Sequence, residues 1–545
     1  MPLKDDCHRL KFRTLRCVQC SITLTLGLLI NSAYAISPSA DKSSPLNQTL
    51  SEPQARALLN RLGYGATPAS LQATTGRTTS AYVMRAIQEP TQIPTVVQTQ
   101  IARMPLQADI SALWLQQGPG SEERRKLDEQ GRKEQQREMN QYLAATVQAR
   151  LLTMANSDNP GHEALLSFWL NHFSIFGAKG PVRLLAWDYI RAVEQAMRAD
   201  SFEALLRASF KHPAMQLYLD NAQSIAPNSE VGQRAAQHGR AAGLNENLAR
   251  ELLELHTLGV ESGYTQADVQ ALARIITGAG VYTAGTKDKD LQASGALREG
   301  LFFFDPRRHD FGSKIFLGEY FSNGMGWSEI DRALHMLAQH PATARHISTK
   351  LAQRFLADEP PPEVVNAMTT AYLRSQGRIS ATLLALVERP EFTASLQSPQ
   401  KFKEPMDYLL STARAACGDQ PITHGLLLAT SLSGLGQAPL MRSTPDGYGA
   451  RESDWLSPLG MAKRVRIAQG AGEQRFPFAA APTDAFQAHV EAGQDILRGQ
   501  SCPVDETQLA RAIGPMSART LAQGVALNPR ERATLWLASP EFMRR

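Results

Sequence analysis

The side chains that could carry out chemistry are histidines and carboxylates in three short stretches of the sequence. We take four of them as candidate catalytic groups: His172, Glu251, His309 and Asp310. Imidazole and carboxylate groups transfer protons near neutral pH, and both bind divalent metal ions such as zinc. Their types therefore permit a divalent metal site. Their spacing does not demand one, so the metal and any other cofactor stay undetermined.

The same stretches also suit a purely structural network. Its predicted members are polar or charged: Asn171, Asn245, Glu246, Arg250, Glu254 and Asp305. A buried charge without a partner is strongly destabilising, so these groups must pair if they face inward. We expect Arg250 to pair with Asp305 or Asp310, which predicts that the helix beginning at Asn245 packs against the turn 305–312, with residues 171 and 172 close by. The alternative is a solvated face of ion pairs, each contributing about 0.2–0.5 kcal/mol.

A helix over residues 245–258 must position this network. Asn245 is a good N-cap, and Gly259 stands where a helix ends. Leu248, Leu252 and Leu255 recur at helical spacing, which predicts a buried stripe along the helix. The charged residues recur four apart on another face of the same helix.

This helix and several other segments carry a recognisable signature. Residues 245–259 read Asn-Glu-Asn-x-Ala-Arg-Glu-Leu-x-Glu-Leu-x-Thr-Leu-Gly, and residues 58–68 read Leu-Leu-Asn-Arg-Leu-Gly-Tyr-Gly-Ala-Thr-Pro. With Pro-Asp-Gly-Tyr at 445–448 and Trp-Leu-Ser-Pro at 455–458, the chain resembles a large bacterial family catalogued only as domain of unknown function 1800. The resemblance runs from about residue 51 to the end and implies no activity. Where the family usually has Trp after Gly278, this chain has Ala279, so a pocket lined by that Trp would differ here.

Helical periodicity elsewhere predicts a mainly α fold. We expect residues 51–545 to form a single large helical domain, or two lobes of one, after a flexible Ser- and Pro-rich lead at 36–50. The convincing strand signal is confined to two apolar runs, 301–304 and 314–317, on either side of the polar turn 305–312. These runs predict one small β-hairpin near residues 301–317.

The first 35 residues have the features of a secretory signal peptide. A basic start precedes the apolar run 22–30, and Ala33-Tyr34-Ala35 has the small-x-small form of a cleavage site. The apolar run is shorter than the roughly 20 residues of a membrane span. We therefore expect cleavage after Ala35, a mature chain without a transmembrane span, and a periplasmic or extracellular location. An uncleaved membrane anchor is the alternative.

Charge and cysteine content narrow the class of protein. Lys and Arg total 57 against 52 Asp and Glu, and removing residues 1–35, with five basic and two acidic residues, leaves 52 against 50. A nearly neutral mature chain lacks the electrostatic footprint of a nucleic-acid-binding protein. Only Cys417 and Cys502 remain after cleavage. They could form a disulfide in an oxidising compartment or stay as two separate buried thiols.

Two functional hypotheses follow from these observations. The first is an exported enzyme, such as an envelope-associated hydrolase, that uses His309 and the carboxylates. The second is a non-catalytic periplasmic helical scaffold or partner-binding protein, with Phe302–Phe304 and the charged segment 121–140 as interaction surfaces. The family resemblance implies a possible partner, because members are often encoded beside exported proteins that look like sulfatases. A concave pocket where the polar groups converge would favour the enzyme, and buried ion pairs without a cavity would favour the scaffold. The oligomeric state is open.

Overall fold

The computed structural model describes residues 45–106, 109–239, 243–287, 291–478 and 500–545. The predicted signal peptide and residues 36–44 of the predicted lead lie outside these ranges. Of the lead, Pro45–Asn47 forms a 3-10 turn and Thr49 bridges Thr78, so its last residues are built into the fold. The described residues belong to one compact unit. None of their helices is long and apolar enough to cross a membrane.

Helices dominate the described residues, which confirms the predicted mainly α fold. Those of the first half are Glu52–Leu62, Pro68–Thr74, Thr79–Gln88, Thr95–Ala102, Ile110–Gln117, Glu122–Lys126, Glu129–Asn156, Pro160–His172, Val182–Arg198, Phe202–Lys211, Pro213–Tyr218, Glu230–Gln237, Asn247–Glu251 and Gln266–Ile275. Those of the second half are Trp327–Gln339, Pro341–Phe355, Pro362–Arg374, Ile379–Val387, Pro390–Gln397, Pro405–Cys417, Gly425–Leu435, Glu452–Trp455, Pro458–Gly472, Glu506–Ile513, Ala518–Gly524 and Pro529–Leu537.

Many of these helices start with the same local chemistry. Thr67, Asn159 and Asn528 each accept a backbone N–H through the side chain, and each is followed by a proline. A proline in the first turn removes no intrahelical hydrogen bond and has the right φ for a helix. The helix Pro160–His172 lies in the main core, where Leu166 and Trp169 are fully buried.

Two small antiparallel sheets interrupt the helices. Their strands are β1 (Ala279–Val281), β2 (Leu297–Glu299), β3 (Phe302–Phe304), β4 (Lys314–Phe316) and β5 (Glu319–Phe321). The predicted strands near 301–304 and 314–317 are present, but they do not pair with each other. Instead β3 lies between β1 and β2, and β4 pairs with β5.

The reason for this different pairing is a tight turn that the sequence analysis missed. Leu317 and Gly318 have φ values of +50° and +79°, as a two-residue type I′ hairpin requires, so β4 turns directly into β5. Strand β3 is buried throughout its length, with Phe304 fully inaccessible. The idea that Phe302–Phe304 forms an interaction surface is therefore wrong.

The predicted helix over 245–258 is present, but its geometry changes halfway. Asn247–Glu251 is α-helical and Leu252–His256 is a π-helical turn; together we call them the central helix. Thr257 donates its hydroxyl to the Leu252 carbonyl, and Gly259, at φ +87°, ends the segment. Turns of π-helix are rare and occur frequently at functional sites.

The two cysteines left open by the sequence are joined. Cys417, at the end of the helix Pro405–Cys417, forms a disulfide with Cys502, and their Cα atoms lie 4.9 Å apart. The bond closes a loop of 85 residues. In the chain-entropy model, a loop of this length corresponds to about 4–5 kcal/mol of stabilisation.

Candidate functional site

His309 is almost inaccessible to solvent, although it lines an open cleft of about 650 Å³ together with Asn228 and Phe311. Its side chain is buried, with Nδ1 2.7 Å from the Thr277 carbonyl and Nε2 3.0 Å from Glu329, though off the angle of a hydrogen bond. The Lys314 ammonium donates to Glu329 over 2.6 Å and to the Gly312 carbonyl over 3.0 Å. The polar turn is thus fastened to the helix Trp327–Gln339 by buried charges.

The two aspartates of the turn also have nearby arginine partners. Arg307 forms a two-pronged ion pair with Asp305, at 2.9 and 2.7 Å. Burial alone would raise the pKa of Asp310, but hydrogen bonds from Arg274, Asn228 and the Gly312 amide outweigh it and lower that pKa to about 2. Asp310 is therefore ionised at neutral pH and engaged in structure.

The central helix satisfies its charges along its own surface. Arg250 bridges Glu246 and Glu254, at 3.4 and 3.3 Å, and donates to Gln266 over 3.0 Å. The Arg250 side chain is 38% exposed, so these are solvated pairs that contribute little to stability. The predicted pairing of Arg250 with Asp305 or Asp310 is wrong, because both aspartates bind other arginines.

Residues 222–224 lie between the central helix and the polar turn. Arg308 donates to the carbonyls of Ala222 and Ser224, at 2.7 and 3.0 Å. From the other side, the backbone N–H of Asn245 donates to the Ser224 hydroxyl, and the Asn245 side chain donates to the Asp220 carbonyl. The central helix and the turn are thus linked through an intervening segment, and the described residues form no ion pair between helix and turn. Direct packing of the helix against the turn stays a prediction.

Glu251 differs from its neighbours on the central helix. Burial, followed by the negative charge of Glu254, raises the pKa of its carboxyl to about 7. None of the hydrogen bonds or ion pairs found in the described residues uses this carboxylate. A carboxyl that titrates near neutral pH is suited to proton transfer, so Glu251 keeps its place among the candidates.

His172 reaches the end of the central helix and forms a cluster with His256 and His346. Its Nε2 donates to the His256 carbonyl over 3.0 Å, and its ring centre lies 6.2 Å from the rings of both other histidines. His172 Nδ1 and His256 Nε2 are buried without hydrogen-bond partners. Burial, with the nearby charge of Lys350, lowers the pKa of His256 to about 3 and that of His346 to about 4. The cluster is therefore neutral at pH 7.

The donor atoms of these groups do not converge as a metal site would require. Within the described ranges, no group of three or more His, Cys, Asp or Glu side chains is arranged to hold a metal ion. The divalent metal that the residue types permit therefore has no assigned site.

A more enclosed cavity lies elsewhere in the described chain, beside the helix Pro341–Phe355. Its volume is about 430 Å³. Polar lining residues include Tyr64, Arg150, Ser167, Asn171, Lys350, Arg354, Glu404, Gln437, Arg442, Asp446, Arg451 and Asp454. Apolar ones include Met154, Phe168, Leu170, Ile190, Met406, Pro439 and Leu440. Of the residues predicted from sequence, only Asn171 lines this cavity.

Buried ion pairs neutralise two arginines of the cavity wall, Arg150 and Arg354. Arg150 pairs with Glu163 and also donates to the Ser167 hydroxyl over 3.0 Å. Arg354 makes a two-pronged contact with Asp407, at 2.8 Å for each bond, and a further bond of 3.0 Å to Glu404. Charges paired in this way rigidify the wall and leave little net charge for a ligand.

Lys350 is a further cation of the cavity wall. It retains some accessible surface because it faces the cavity, yet the surrounding protein lowers the pKa of its amine to about 8, with Asp446 acting weakly in the opposite direction. None of the hydrogen bonds or ion pairs identified in the described residues involves its Nζ atom. An unpaired cation on the wall of an enclosed cavity is an arrangement that favours an anionic ligand.

The cavity is covered by residues 437–451, which have no regular structure. Asn171 fastens this cover by bonding both the N–H and the carbonyl of Tyr448, at 2.7 and 2.9 Å. Arg442 and Asp446 form an exposed ion pair there. Leu440 has φ +60°, which is a strained conformation for a bulky residue. Strain of this kind concentrates at ligand clamps and active sites.

A sequence signal for Lys350 did exist. His346, Lys350 and Arg354 are spaced four apart and therefore share one face of their helix. Three basic residues on a helix face usually indicate a solvated surface, so only the tertiary structure reveals that this face meets a cavity.

Comparison with known proteins gives a family and no activity. Residues 57–544 match the model of a family described as protein of unknown function (DUF1800). No curated protein and no solved structure matches the chain.

Proposed function

This chain belongs to the DUF1800 family, whose description names no activity, and we propose from its site that it is an exported protein that binds a small organic anion in the cavity beside Lys350. One observation carries the proposal: the Lys350 amine faces the cavity without an ionic partner among the described residues. Burying an unpaired cation is costly, and a bound carboxylate, sulfate or phosphate would supply the missing charge.

The size and shape of the cavity narrow the ligand. A volume of about 430 Å³ lies in the range of small-molecule sites. The apolar side chains of Phe168, Ile190 and Leu440 would contact the body of the ligand. A space of this size matches a small anionic molecule, which is therefore the ligand class we propose.

Export and envelope association belong to the same proposal. The basic, apolar and small-residue regions of residues 1–35 support export, and so does the disulfide between Cys417 and Cys502, because such bonds persist in oxidising compartments. A sulfatase-like exported partner remains a proposal that rests on the resemblance alone.

A hydrolase is the second candidate, and Glu251 supports it. Its pKa of about 7 suits a general acid or base, and Asp446, a cavity residue, is among the charges that influence it. The scaffold alternative is supported by the turn 305–312, whose histidine and aspartates are occupied in structural pairs. Anion binding is compatible with either, so it is the first property to measure.

The test compares an anion with its neutral isostere. Benzoate is expected to raise the melting temperature of the protein, whereas benzamide is not. At a ligand concentration about 100 times Kd, the stabilisation is about 2.7 kcal/mol. Lys350→Met and the cavity-filling Ala450→Trp should abolish the shift. Lys133→Met, which removes an exposed lysine with a side chain 71% accessible, should leave it unchanged.

Equal shifts from benzoate and benzamide would refute the role of charge. A benzoate shift that survives in Ala450→Trp would refute the location, because the ligand would then bind outside the cavity.

A further inference from the structure

We propose that Lys350 is a nucleophile that forms an imine with the carbonyl group of a small anionic aldehyde or keto acid held in the cavity. This inference rests on the proposed function, since it requires the same cavity and the same class of anion. It adds a covalent reaction and a narrower ligand class.

The first support is the freedom of the amine. Four other lysines of the described chain are held by carboxylates: Lys179 by Asp220, Lys211 by Glu299, Lys314 by Glu329 and Lys401 by Asp358. An ammonium held in this way must break an ion pair before it can attack a carbonyl carbon. Lys350 faces open space instead, and Arg354, one turn further along the same helix, is locked by its own carboxylates.

The second support is the surroundings of the amine. The positive charge of Lys350 contributes to the lowered pKa of His172, His256 and His346, so these imidazoles stay neutral. Burial lowers the pKa of the Lys350 amine itself, and the carboxylate of Asp446 opposes this shift. A pKa lowered from 10.5 to about 8 makes the neutral, reactive form about 300-fold more abundant at pH 7. Desolvation in an apolar pocket is an established way to activate a lysine.

The reaction needs no other reagent. The nitrogen lone pair of the neutral amine forms a bond to the carbonyl carbon, and the π electrons move to oxygen. Transfer of one proton from nitrogen to oxygen gives the carbinolamine. When the second N–H proton also passes to that oxygen, through solvent, the carbon–oxygen bond breaks, water leaves, and the nitrogen lone pair forms the carbon–nitrogen double bond. One carbonyl compound and one amine therefore give one imine and one water. Arg451 lines the cavity, has no ion pair among the described residues, and offers positive charge for the carboxylate of the same ligand.

Lys403 is an internal comparison. Burial lowers the pKa of its amine to about 7, further than for Lys350. Its Nζ atom, however, donates to Ser411 over 3.0 Å and lies 3.6 Å from the centre of the Phe542 ring, with the side chain buried outside the cavity. If a lowered pKa were sufficient, Lys403 would react as well. If access to the cavity is also required, Lys350 will react and Lys403 will not.

The experiment traps the imine with a known probe. The folded mature protein is treated with glyoxylate and cyanoborohydride at pH 7, and modified lysines are mapped by peptide mass spectrometry. A less basic amine is also less nucleophilic, and with a Brønsted coefficient of about 0.5, as for thiols, the 300-fold abundance becomes about 15-fold in rate. Lys350 should therefore be labelled about 15-fold faster than Lys133, whose pair with Glu129 is solvent-exposed and holds the amine only weakly, and Lys403 should stay unlabelled.

The variants separate covalent chemistry from anion binding. Lys350→Arg keeps the positive charge and cannot form the imine, so it should lose the selective label and still be stabilised by benzoate. In the wild type, benzoate should slow the labelling of Lys350. Labelling of Lys350 no faster than that of Lys133 would overturn the inference. If labelling is unselective but benzoate still stabilises the protein, the imine proposal fails and the proposed anion binding stands. If benzoate does not stabilise the protein either, both proposals fail.

Discussion

Replacing His256 by leucine tests whether the histidine cluster is as dry as its geometry indicates. His256 is 1% exposed and its Nε2 has no hydrogen-bond partner among the described residues. Burial, then the charges of Lys350 and His346, lowers its pKa from 6.5 to about 3. Between about pH 6.5 and pH 3, His256 is therefore protonated in the unfolded chain and neutral in the folded protein. The stability held above pH 6.5 is lost as the pH falls towards 3.

The expected magnitude follows from the size of the shift. At pH 5.0, which is 1.5 pH units below the unfolded pKa, the penalty for His256 is about 2 kcal/mol, at 1.36 kcal/mol for each unit. Glu251 acts in the opposite direction, because its raised pKa favours the folded state as the pH falls below 7. Asp310, with a pKa of about 2, loses its contribution only below about pH 4. The pH dependence of stability in the wild type alone therefore combines the effects of several groups. The contribution of His256 has to be measured as the difference in unfolding free energy between the wild type and a variant.

The assay is urea unfolding of the wild type and of His256→Leu at pH 7.5 and pH 5.0. At pH 7.5 the difference in unfolding free energy reports the packing of leucine in this site. At pH 5.0 that difference should move by about 2 kcal/mol in favour of the variant, since leucine carries no proton penalty. His238→Leu, at an exposed position, is the matched control and should show the same difference at both pH values. A difference for His256→Leu that is constant within about 0.5 kcal/mol would refute the dry cluster, and with it the surroundings assigned to Lys350.

Three further outcomes are expected. Lys314→Met should lower the unfolding free energy by about 3–5 kcal/mol because it leaves the buried Glu329 with only the poorly aligned His309 beside it, and adding Glu329→Gln should restore part of the loss in the same denaturation assay. Reduction of the disulfide should destabilise the protein by about 4 kcal/mol, and thiol labelling of the unfolded, unreduced protein should find neither Cys417 nor Cys502 free. Mass spectrometry of exported protein should find the mature chain starting after Ala35, and a periplasmic chain that still begins at its first residue would contradict this.

The local structure could be predicted from the sequence because it depends on short-range physics. The leucine spacing and caps of residues 245–259 gave a helix, and one is present, although its last turn is π-helical. The partners of the charges were predicted wrongly for an equally local reason. Arg250 pairs with carboxylates four residues before and after it on its own helix, and Asp305 pairs with Arg307, two residues later in the chain. These local pairs replace the long-range pair that was predicted.

The cavity could not be predicted, because it is made by segments far apart in sequence. Its cover, residues 437–451, has no periodicity to interpret, and it is held by Asn171 more than 250 positions earlier. The spacing of His346, Lys350 and Arg354 predicts that they share one helix face, but it does not predict what that face contacts. Whether that face meets water, carboxylates or an enclosed space depends on tertiary packing.

The same energetics predict that the protein gives up stability to keep Lys350. Holding this amine where its pKa falls from 10.5 to about 8 costs the folded state up to about 3 kcal/mol below pH 8. The cost shrinks as the pH rises from 8 to 10.5, where the unfolded chain also loses its proton. Lys350→Met, which keeps an unbranched apolar stem, should therefore be more stable than the wild type at pH 7, and its advantage should diminish at pH 10. Urea unfolding at the two pH values, without ligand, measures both effects. A destabilised Lys350→Met at pH 7 would show that the amine has a stabilising partner in the apo protein. A stabilised variant that no longer responds to benzoate would show that the lysine is retained for a ligand and not for the fold, the trade-off expected of a functional site.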